Sequence, residues 1–76
     1  MHRVGTVVTT AGGLAIARTD AEQAPPDIGA MVVDDTLTTV GRIVDVFGPV
    51  SEPYVAITPN KNSSLVTLVG KKLYAR

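Results

Sequence analysis

The side chains of this sequence that could do chemistry are few, and their spacing does not assemble a reaction centre. Asp34, Asp35 and Asp45 are the carboxylates that we expect to lie nearest one another. Paired carboxylates can serve acid–base catalysis or hold a hard cation. The interpretation that we favour is simpler: Asp34 and Asp35 open a turn. Asp45 then faces water or pairs with Arg42. The only histidine, His2, stands at a terminus, where a solvated side chain is expected.

Other catalytic patterns are also missing from the sequence. There is no cysteine, which excludes disulfides and thiolate metal sites. No serine or threonine has a base partner in view. Gly12-Gly13 lacks the spaced glycines of a phosphate-binding loop, so we interpret it as a hairpin turn. We therefore predict no catalytic, cofactor-binding or metal-binding residues, and a protein that is not an enzyme.

Length and charge limit the possible partners. We expect the 76 residues to form one domain, residues 1–76, and seven basic and seven acidic residues leave no formal net charge. The basic residues are scattered except for Lys71, Lys72 and Arg76, which we interpret as a solvated end. Because nucleic acids are held largely through clustered cations, we expect little direct nucleic-acid contact.

The sequence shows neither the pattern of a targeting segment nor that of a membrane-spanning segment. A strand-like pattern begins at the first residues, which argues against a signal peptide. No apolar run approaches the roughly 18 residues of a membrane span. We therefore expect no membrane contact and an intracellular location.

The content of valine and other β-branched residues favours strands as the elements that hold these side chains. Turn residues separate short segments, and at this size a closed barrel removes exposed strand edges. We predict an all-β fold, a small closed six-stranded barrel, with Gly41 at a bulge or bend. The predicted strands are Arg3–Thr9, Leu14–Arg18, Met31–Asp34, Leu37–Phe47, Tyr54–Thr58 and Lys72–Ala75.

Three segments between these strands are less regular. We expect residues 19–29, with Pro25-Pro26, to form a polar connector that has room for a helical turn over residues 20–24. Residues 59–64 are predicted as a polar loop. Residues 65–69 either extend a strand or form an irregular apolar stretch.

Residues 41–57 are the most informative stretch of the chain. A period of two places Ile43, Asp45 and Phe47 on one side of the strand, and Arg42, Val44 and Val46 on the other. Because both sides then carry apolar residues, one of them needs a cover outside the barrel. The alternative is a rigid hairpin packed on its own core. We favour a partner protein, with an interface centred on Phe47, Gly48, Pro49, Val50, Pro53 and Tyr54.

The same residues carry a family resemblance. The run GRIVDVFGPV at positions 41–50, followed by PYVAI at 53–57, resembles the Gar-type subunit of box H/ACA ribonucleoproteins. A weaker match is VGKKLY at 69–74. About half of the chain carries the resemblance, and the first 30 residues agree only in pattern.

The resemblance implies a six-stranded barrel like those of translation factors and some reductases. It also implies a non-catalytic subunit that docks on the catalytic domain of a dyskerin-type pseudouridine synthase. Such a subunit promotes loading and release of substrate RNA during RNA-guided pseudouridylation, in rRNA processing and ribosome biogenesis. Guide RNA and the other subunits are then indirect partners. Without Gly/Arg-rich extensions the chain is similar to an archaeal form, which would be cytoplasmic; a eukaryotic form would be nucleolar.

Two alternatives remain open at the level of sequence. A PRC-type barrel adaptor in ribosome maturation would explain residues 41–46 but not the Phe-Gly-Pro-Val and Pro-Tyr segments. A small reductase-type enzyme would need a flavin or nicotinamide site. Neither a phosphate-binding loop nor stacking aromatics beyond Phe47, Tyr54 and Tyr74 are present for it.

Overall fold

The valine-rich segments form strands, as their branched side chains favour. The computed structural model describes residues 2–19, 27–49, 51–60 and 64–75. Its elements are β1 (His2–Ala11), β2 (Leu14–Arg18), β3 (Met31–Val33), β4 (Thr39–Phe47), β5 (Tyr54–Pro59), the one-turn helix α1 (Leu65–Leu68) and β6 (Lys72–Ala75).

The strands close into one barrel. Their order is β1-β2-β5-β4-β3-β6, and every neighbouring pair, including β6 with β1, is antiparallel. The predicted all-β closed six-stranded barrel is confirmed. Within the described ranges, no helix has the length and apolar character needed to cross a membrane.

The core lies inside the barrel and consists mainly of branched aliphatic side chains. On β2 and β5 the inward residues alternate as expected, with Ala15 and Ala17 facing Val55 and Ile57. Leu68 of α1 also belongs to this cluster, so the helix covers part of the barrel interior. The core cluster includes Val4, Val7, Ala15, Ala17, Val32, Val40, Ile43, Val55, Ile57, Leu68, Leu73 and Ala75.

Gly41 lies where the barrel turns a corner, as predicted. The register between β3 and β4 shifts beside it, because Val32 pairs with Gly41 while Val33 pairs with Thr39. A side chain at Gly41 would collide with the backbone carbonyl of Thr58 on the neighbouring strand. Glycine is therefore required for the close approach of β4 and β5.

The turn between β3 and β4 is longer than the sequence suggested. The predicted strands Met31–Asp34 and Leu37–Phe47 are corrected to Met31–Val33 and Thr39–Phe47. The Asp34 carboxylate accepts hydrogen bonds from the N–H groups of Thr36 and Thr38 and from the Thr36 hydroxyl. These bonds fold the backbone into a turn instead of continuing the ladder.

Two further expectations change. Residues 65–69 were predicted as a strand extension or an irregular stretch, but Leu65–Leu68 is helical, and this brings Leu68 into the core. The strands β1 and β5 are also longer than predicted, ending at Ala11 and Pro59. The predicted helical turn over residues 20–24 and residues 61–63 of the predicted loop lie outside the described residues.

Candidate docking surface

Two aromatic rings meet on the outside of the barrel at the end of β4. Phe47 pairs with Tyr54 across the β4–β5 ladder, and the rings are stacked with centroids 5.9 Å apart and an interplanar angle of 24°. Phe47 is exposed and Tyr54 is half-buried. Such a pair offers a large apolar area with little rotamer freedom left to lose.

The connector between β4 and β5 is shaped around this ring pair. Gly48 has a φ of 92°, and a Cβ added there would lie 2.9 Å from Cδ2 of Tyr54. Only glycine allows both the left-handed backbone and the close passage over the ring. Next, the N–H of Glu52 donates to the carbonyl of Pro49 over 3.2 Å, which closes a turn whose backbone Pro49 already restricts.

Pro53 fixes the base of the connector to β2. Its carbonyl accepts two hydrogen bonds from Thr19, one from the N–H at 3.2 Å and one from the hydroxyl at 2.6 Å. Thr19 and Pro53 are both buried. The connector is therefore held at both ends by contacts that do not depend on a partner.

A row of apolar side chains lies next to the stacked rings of Phe47 and Tyr54. Ile16 pairs with Ala56 across β2 and β5, and both point outward, because the inward positions belong to their neighbours in sequence. Their exposed fractions are nevertheless only 9% and 3%. Neighbouring side chains therefore already cover Ile16 and Ala56, which support the outer face from below and present little accessible area themselves.

Two β-bulges extend this row at both ends. In β1 the register against β2 shifts between Val7 and Thr9, leaving Val8 as the additional residue. In β4 the register against β5 shifts between Ile43 and Asp45, leaving Val44 as the additional residue. A bulge re-aims the side chains around it. Val8 and Val44 are accordingly exposed, at 45% and 42%.

These two rows define one surface, which we call the apolar face. It consists of Val8, Ile16, Val44, Phe47, Tyr54 and Ala56.

The bulge in β4 overturns part of the sequence reasoning. Strict alternation placed Phe47 with Ile43, and Val46 with Val44. Beyond the bulge the alternation is reversed, so Val46 packs against the core while Phe47 points outward. The expectation that this stretch leaves apolar side chains uncovered within the chain holds, but the residues concerned are Val44 and Phe47.

Asp45 places a charge beside the apolar face. Its carboxylate accepts a hydrogen bond of 2.9 Å from the N–H of Val46, and the side chain is exposed. A partner that covers Val44 and Phe47 must therefore leave Asp45 in water or pair it with a cation.

An ion pair lies beside the stacked rings of Phe47 and Tyr54. Arg18 pairs with Tyr54 across β2 and β5, and its guanidinium contacts the Glu52 carboxylate through Nε at 3.2 Å and a terminal nitrogen at 3.3 Å. The hydrogen bond that Arg18 donates to the Glu52 carboxylate, together with the negative charge of that carboxylate, raises the pKa of Arg18 above its ordinary value. The pair is solvent-exposed, so it orients the rim of the face and adds little to stability.

The predicted interface residues differ in accessibility. Phe47, Gly48 and Pro49 are exposed, Tyr54 is half-buried and Pro53 is buried. Val50 lies outside the described residues. The sequence did not predict that Val8, Ile16 and Ala56 belong to the surface. The alternation around Ile16 and Ala56 is typical of core strands, and no local residue preference indicates a bulge in β1.

The carboxylates do not form a centre. Asp34 lies in the turn before β4, and Asp45 lies beyond the bulge towards the other end of that strand. The expectation that they lie close together is therefore wrong, and the simpler interpretation of a turn at Asp34 is correct. Across the described ranges, no three His, Cys, Asp or Glu side chains are placed to hold a metal ion.

Comparison with known proteins supplies the family. No curated protein matches the chain. The family model described as the Gar1/Naf1 RNA binding region matches residues 1–76. This match agrees with the resemblance carried by residues 41–57 and does not support the PRC-type or reductase-type alternatives. The chain belongs to the Gar1/Naf1 RNA-binding-region family, whose members are non-catalytic proteins associated with box H/ACA ribonucleoproteins.

Proposed function

We propose that this protein docks through its apolar face on the catalytic domain of a dyskerin-type pseudouridine synthase. In that position it promotes the loading and release of substrate RNA during RNA-guided pseudouridylation of rRNA. Membership of the Gar1/Naf1 family supports the association with H/ACA particles. The docking role and the effect on turnover are proposals that go beyond membership of this family.

The observation that carries the proposal is the apolar outer face of β2, β5 and β4. Interface centres are enriched in aromatic side chains and depleted of charge. Here the stacked Phe47 and Tyr54 adjoin Ile16 and Ala56, while Arg18 and Glu52 stand at the rim. This arrangement of an apolar centre and a charged rim is typical of a protein interface.

Rigidity of the face supports a role in turnover. Gly48 and the hydrogen bonds between Thr19 and Pro53 fix the two ends of the connector before any partner arrives, so little ordering entropy is lost at these points on docking. A preformed surface of this kind can hold a mobile element of an enzyme in one position. Loop opening and product release limit the turnover of many enzymes. The substrate-holding loop of the synthase is the element that we expect this subunit to influence.

Docking is tested with a charge placed on the exposed part of the face. Val44→Asp should weaken binding to the synthase by at least about a hundredfold, because an unpaired buried charge costs several kcal/mol and about 1.4 kcal/mol is a factor of ten. Val66→Asp is the matched control, since Val66 is 82% exposed on α1 outside the face. Calorimetric titration gives both affinities, and thermal unfolding shows that each variant is folded. Equal affinities for the two variants would contradict docking through this face.

The effect on turnover needs a separate measurement. Single-turnover and multiple-turnover rates of uridine isomerisation are compared in particles with and without this subunit. We expect the multiple-turnover rate to rise more than the single-turnover rate, because loading and release are repeated only in the former. If the complex forms and both rates are unchanged, the subunit has a structural role alone.

The cellular location follows from this role. An archaeal particle would place the protein in the cytoplasm, and a eukaryotic one in the nucleolus.

A further inference from the structure

The segment that leads into β3 adds an apolar side chain next to β4. Residues 27–30 form a turn that is closed where the N–H of Ala30 donates to the carbonyl of Asp27 over 3.1 Å. Gly29 has a φ of 92°, the left-handed conformation that one common class of turns requires at its third residue. Ile28 therefore stands at the corner of this turn, and its side chain is 64% exposed.

The turn is fixed to the barrel before any partner arrives. The N–H of Gly29 donates to the carbonyl of Ile43 over 2.7 Å, and the N–H of Ile43 donates to the carbonyl of Ala30 over 3.0 Å. Ala30 also packs against the core cluster. The backbone that carries Ile28 is thus already ordered, so little of its freedom is left to lose on binding.

The same hydrogen bonds place Ile28 beside the bulge of β4. Gly29 and Ala30 both oppose Ile43, so the residue before them in this antiparallel pairing lies level with Val44. Val44 is the additional residue of the β4 bulge and is exposed. Ile28 and Val44, which we call the anchor pair, therefore extend the apolar face across β4 to the turn at residues 27–30.

Carboxylates stand next to both members of the anchor pair. Asp27 precedes Ile28 and Asp45 follows Val44, and both carboxylate side chains are exposed. In the described part of the chain, no ion pair joins either of them to a lysine or an arginine. The cation of β4, Arg42, lies in the neighbouring outward row. Two carboxylates against one guanidinium leave an excess of negative charge around the pair.

We propose that the anchor pair enters one apolar pocket of the synthase, and that basic side chains at the rim of this pocket pair with Asp27 and Asp45. The inference rests on the docking proposed above and adds the chemistry of the partner surface. Exposed branched side chains on fixed backbone suit a preformed pocket. The rim must be basic, because a carboxylate that is covered without a cation strongly opposes binding.

Burial of Ile28 in the complex can be measured directly, because the chain has no cysteine. Ile28→Cys introduces one thiol, and the mass of this protein follows its alkylation by iodoacetamide with and without the synthase. We expect alkylation to be at least about tenfold slower in the complex, since the reaction needs access to the thiol. Leu37→Cys is the matched control, because Leu37 is 60% exposed in the turn before β4, and it should slow by less than about twofold. Equal rates for Ile28→Cys with and without the synthase, or equal protection at both positions, would overturn the proposal.

Affinity gives a second test of the apolar contact. Ile28→Ala should weaken calorimetric binding to the synthase about tenfold, because most of a branched side chain is lost from the pocket. Leu37→Ala should change the affinity by less than about twofold. Since Ile28 is exposed in the free protein, its substitution should leave the thermal midpoint unchanged. An equal change of affinity in the two variants would exclude Ile28 from the contact.

The basic rim is tested by removing the carboxylates. Asp27→Asn/Asp45→Asn should weaken binding about tenfold at low salt and flatten its dependence on salt concentration, because two charge pairs are lost. The amide oxygen at position 45 can still accept the hydrogen bond from Val46. Asp35→Asn, an exposed carboxylate in the turn before β4, is the control and should leave both properties unchanged. Unchanged or tighter binding of the double variant would show that the rim is not basic.

The outcomes also separate this inference from the docking proposal. If Val44→Asp weakens binding while Ile28→Cys reacts at the same rate in the complex, docking through the apolar face stands and the anchor pair is wrong. If Val44→Asp and Ile28→Ala both bind the synthase as the wild type does, docking through the apolar face is wrong as well.

Discussion

Strand β4 has a turn at each end, and the two turns are built by different means. The connector after Phe47 depends on residue types with special backbone preferences, namely Gly48 at a φ of 92° and two prolines. The turn before Thr39 contains an ordinary residue, Leu37, in the left-handed region at a φ of 65°. In this second turn, hydrogen bonds to the Asp34 side chain hold a backbone conformation that leucine does not prefer.

The network in the turn before β4 is centred on one carboxylate. Besides the three hydrogen bonds to the Asp34 carboxylate, the N–H of Asp34 donates to the carbonyl of Thr38, and the N–H of Leu37 donates to the carbonyl of Asp34, each over 3.0 Å. These bonds hold Leu37 in a conformation that leucine avoids by roughly 1–2 kcal/mol. One turn thus stores strain against a network, while the other is relaxed.

The difference indicates a division of roles. The connector supports the stacked ring pair and takes its positive φ at a glycine, without strain. The turn before β4 is strained at Leu37 and is held by hydrogen bonds to the Asp34 carboxylate, so we expect its stability to depend on the charge of that carboxylate.

Removing the Asp34 carboxylate should have the largest effect on stability. Asp34→Ala leaves the N–H groups of Thr36 and Thr38 without their acceptor, and we expect the free energy of unfolding to fall by about 2 kcal/mol. Asp35→Ala, an exposed neighbour, should change it by less than about 0.5 kcal/mol. Urea unfolding measures both, and similar losses would show that the network does not hold the turn.

A side chain at Gly48 should have the next largest effect. Gly48→Ala adds left-handed strain and a contact with the Tyr54 ring, for which we expect a loss of about 1–2 kcal/mol. Gly29→Ala is the matched control, because Gly29 has the same φ of 92° and an added Cβ meets nothing within 4 Å. Chemical denaturation gives both losses, and the difference between them isolates the ring contact. If the two variants lose the same amount, the connector is not shaped around Tyr54.

Acid should weaken the turn before β4. The hydrogen bond from the Thr36 hydroxyl, those from the N–H groups of Thr38 and Thr36, and the charge of Lys71 lower the pKa of Asp34, although burial opposes them. Because the folded pKa lies below the unfolded one, the contribution to stability is complete above the ordinary carboxyl pKa of about 4 and is lost as the pH falls through the folded value.

Unfolding of the wild type and of Asp34→Asn between about pH 7 and pH 3 checks this sign. The wild type should lose more stability on acidification than the variant does. Parallel pH profiles would exclude Asp34 as the titrating group.

Relieving the strain at Leu37 should have the smallest effect, and the opposite sign. Asparagine tolerates the left-handed region better than leucine, so Leu37→Asn should stabilise the protein by about 0.5–1 kcal/mol. Leu37→Ala keeps a disfavoured residue at the same φ and should bring no such gain. A shift of the thermal midpoint distinguishes them, and an equal response of both would mean that loss of the exposed side chain, not the backbone, is responsible.

Much of the fold could be predicted from particular residues. The abundance of valine and other β-branched residues, divided by turn residues, predicted six strands in nearly their observed places, because strand preference and turn preference are largely local properties. Gly41 marked a barrel corner, since no other residue type lets two backbones approach so closely. The resemblance in residues 41–57 identified the family, because its motif combines glycine, proline and aromatic residues in a fixed order.

What the sequence did not show depends on pairing between strands that are distant in the chain. The bulges at Val8 and Val44 follow from how β1 and β4 fit their neighbours in a closed barrel, and no local residue preference requires them. They decide which side chains face outward, and they place Ile16 and Ala56 in the apolar face together with Phe47 and Tyr54.

The sequence by itself therefore determined the strand content, the corner at Gly41 and the stiff connector, all of which rest on intrinsic backbone preferences. Only the tertiary structure decided the composition of the apolar face and the helix that brings Leu68 into the core. Barrel closure fixes the register of every strand against two others at once, and a shift of one residue in register moves a side chain from the core to the surface.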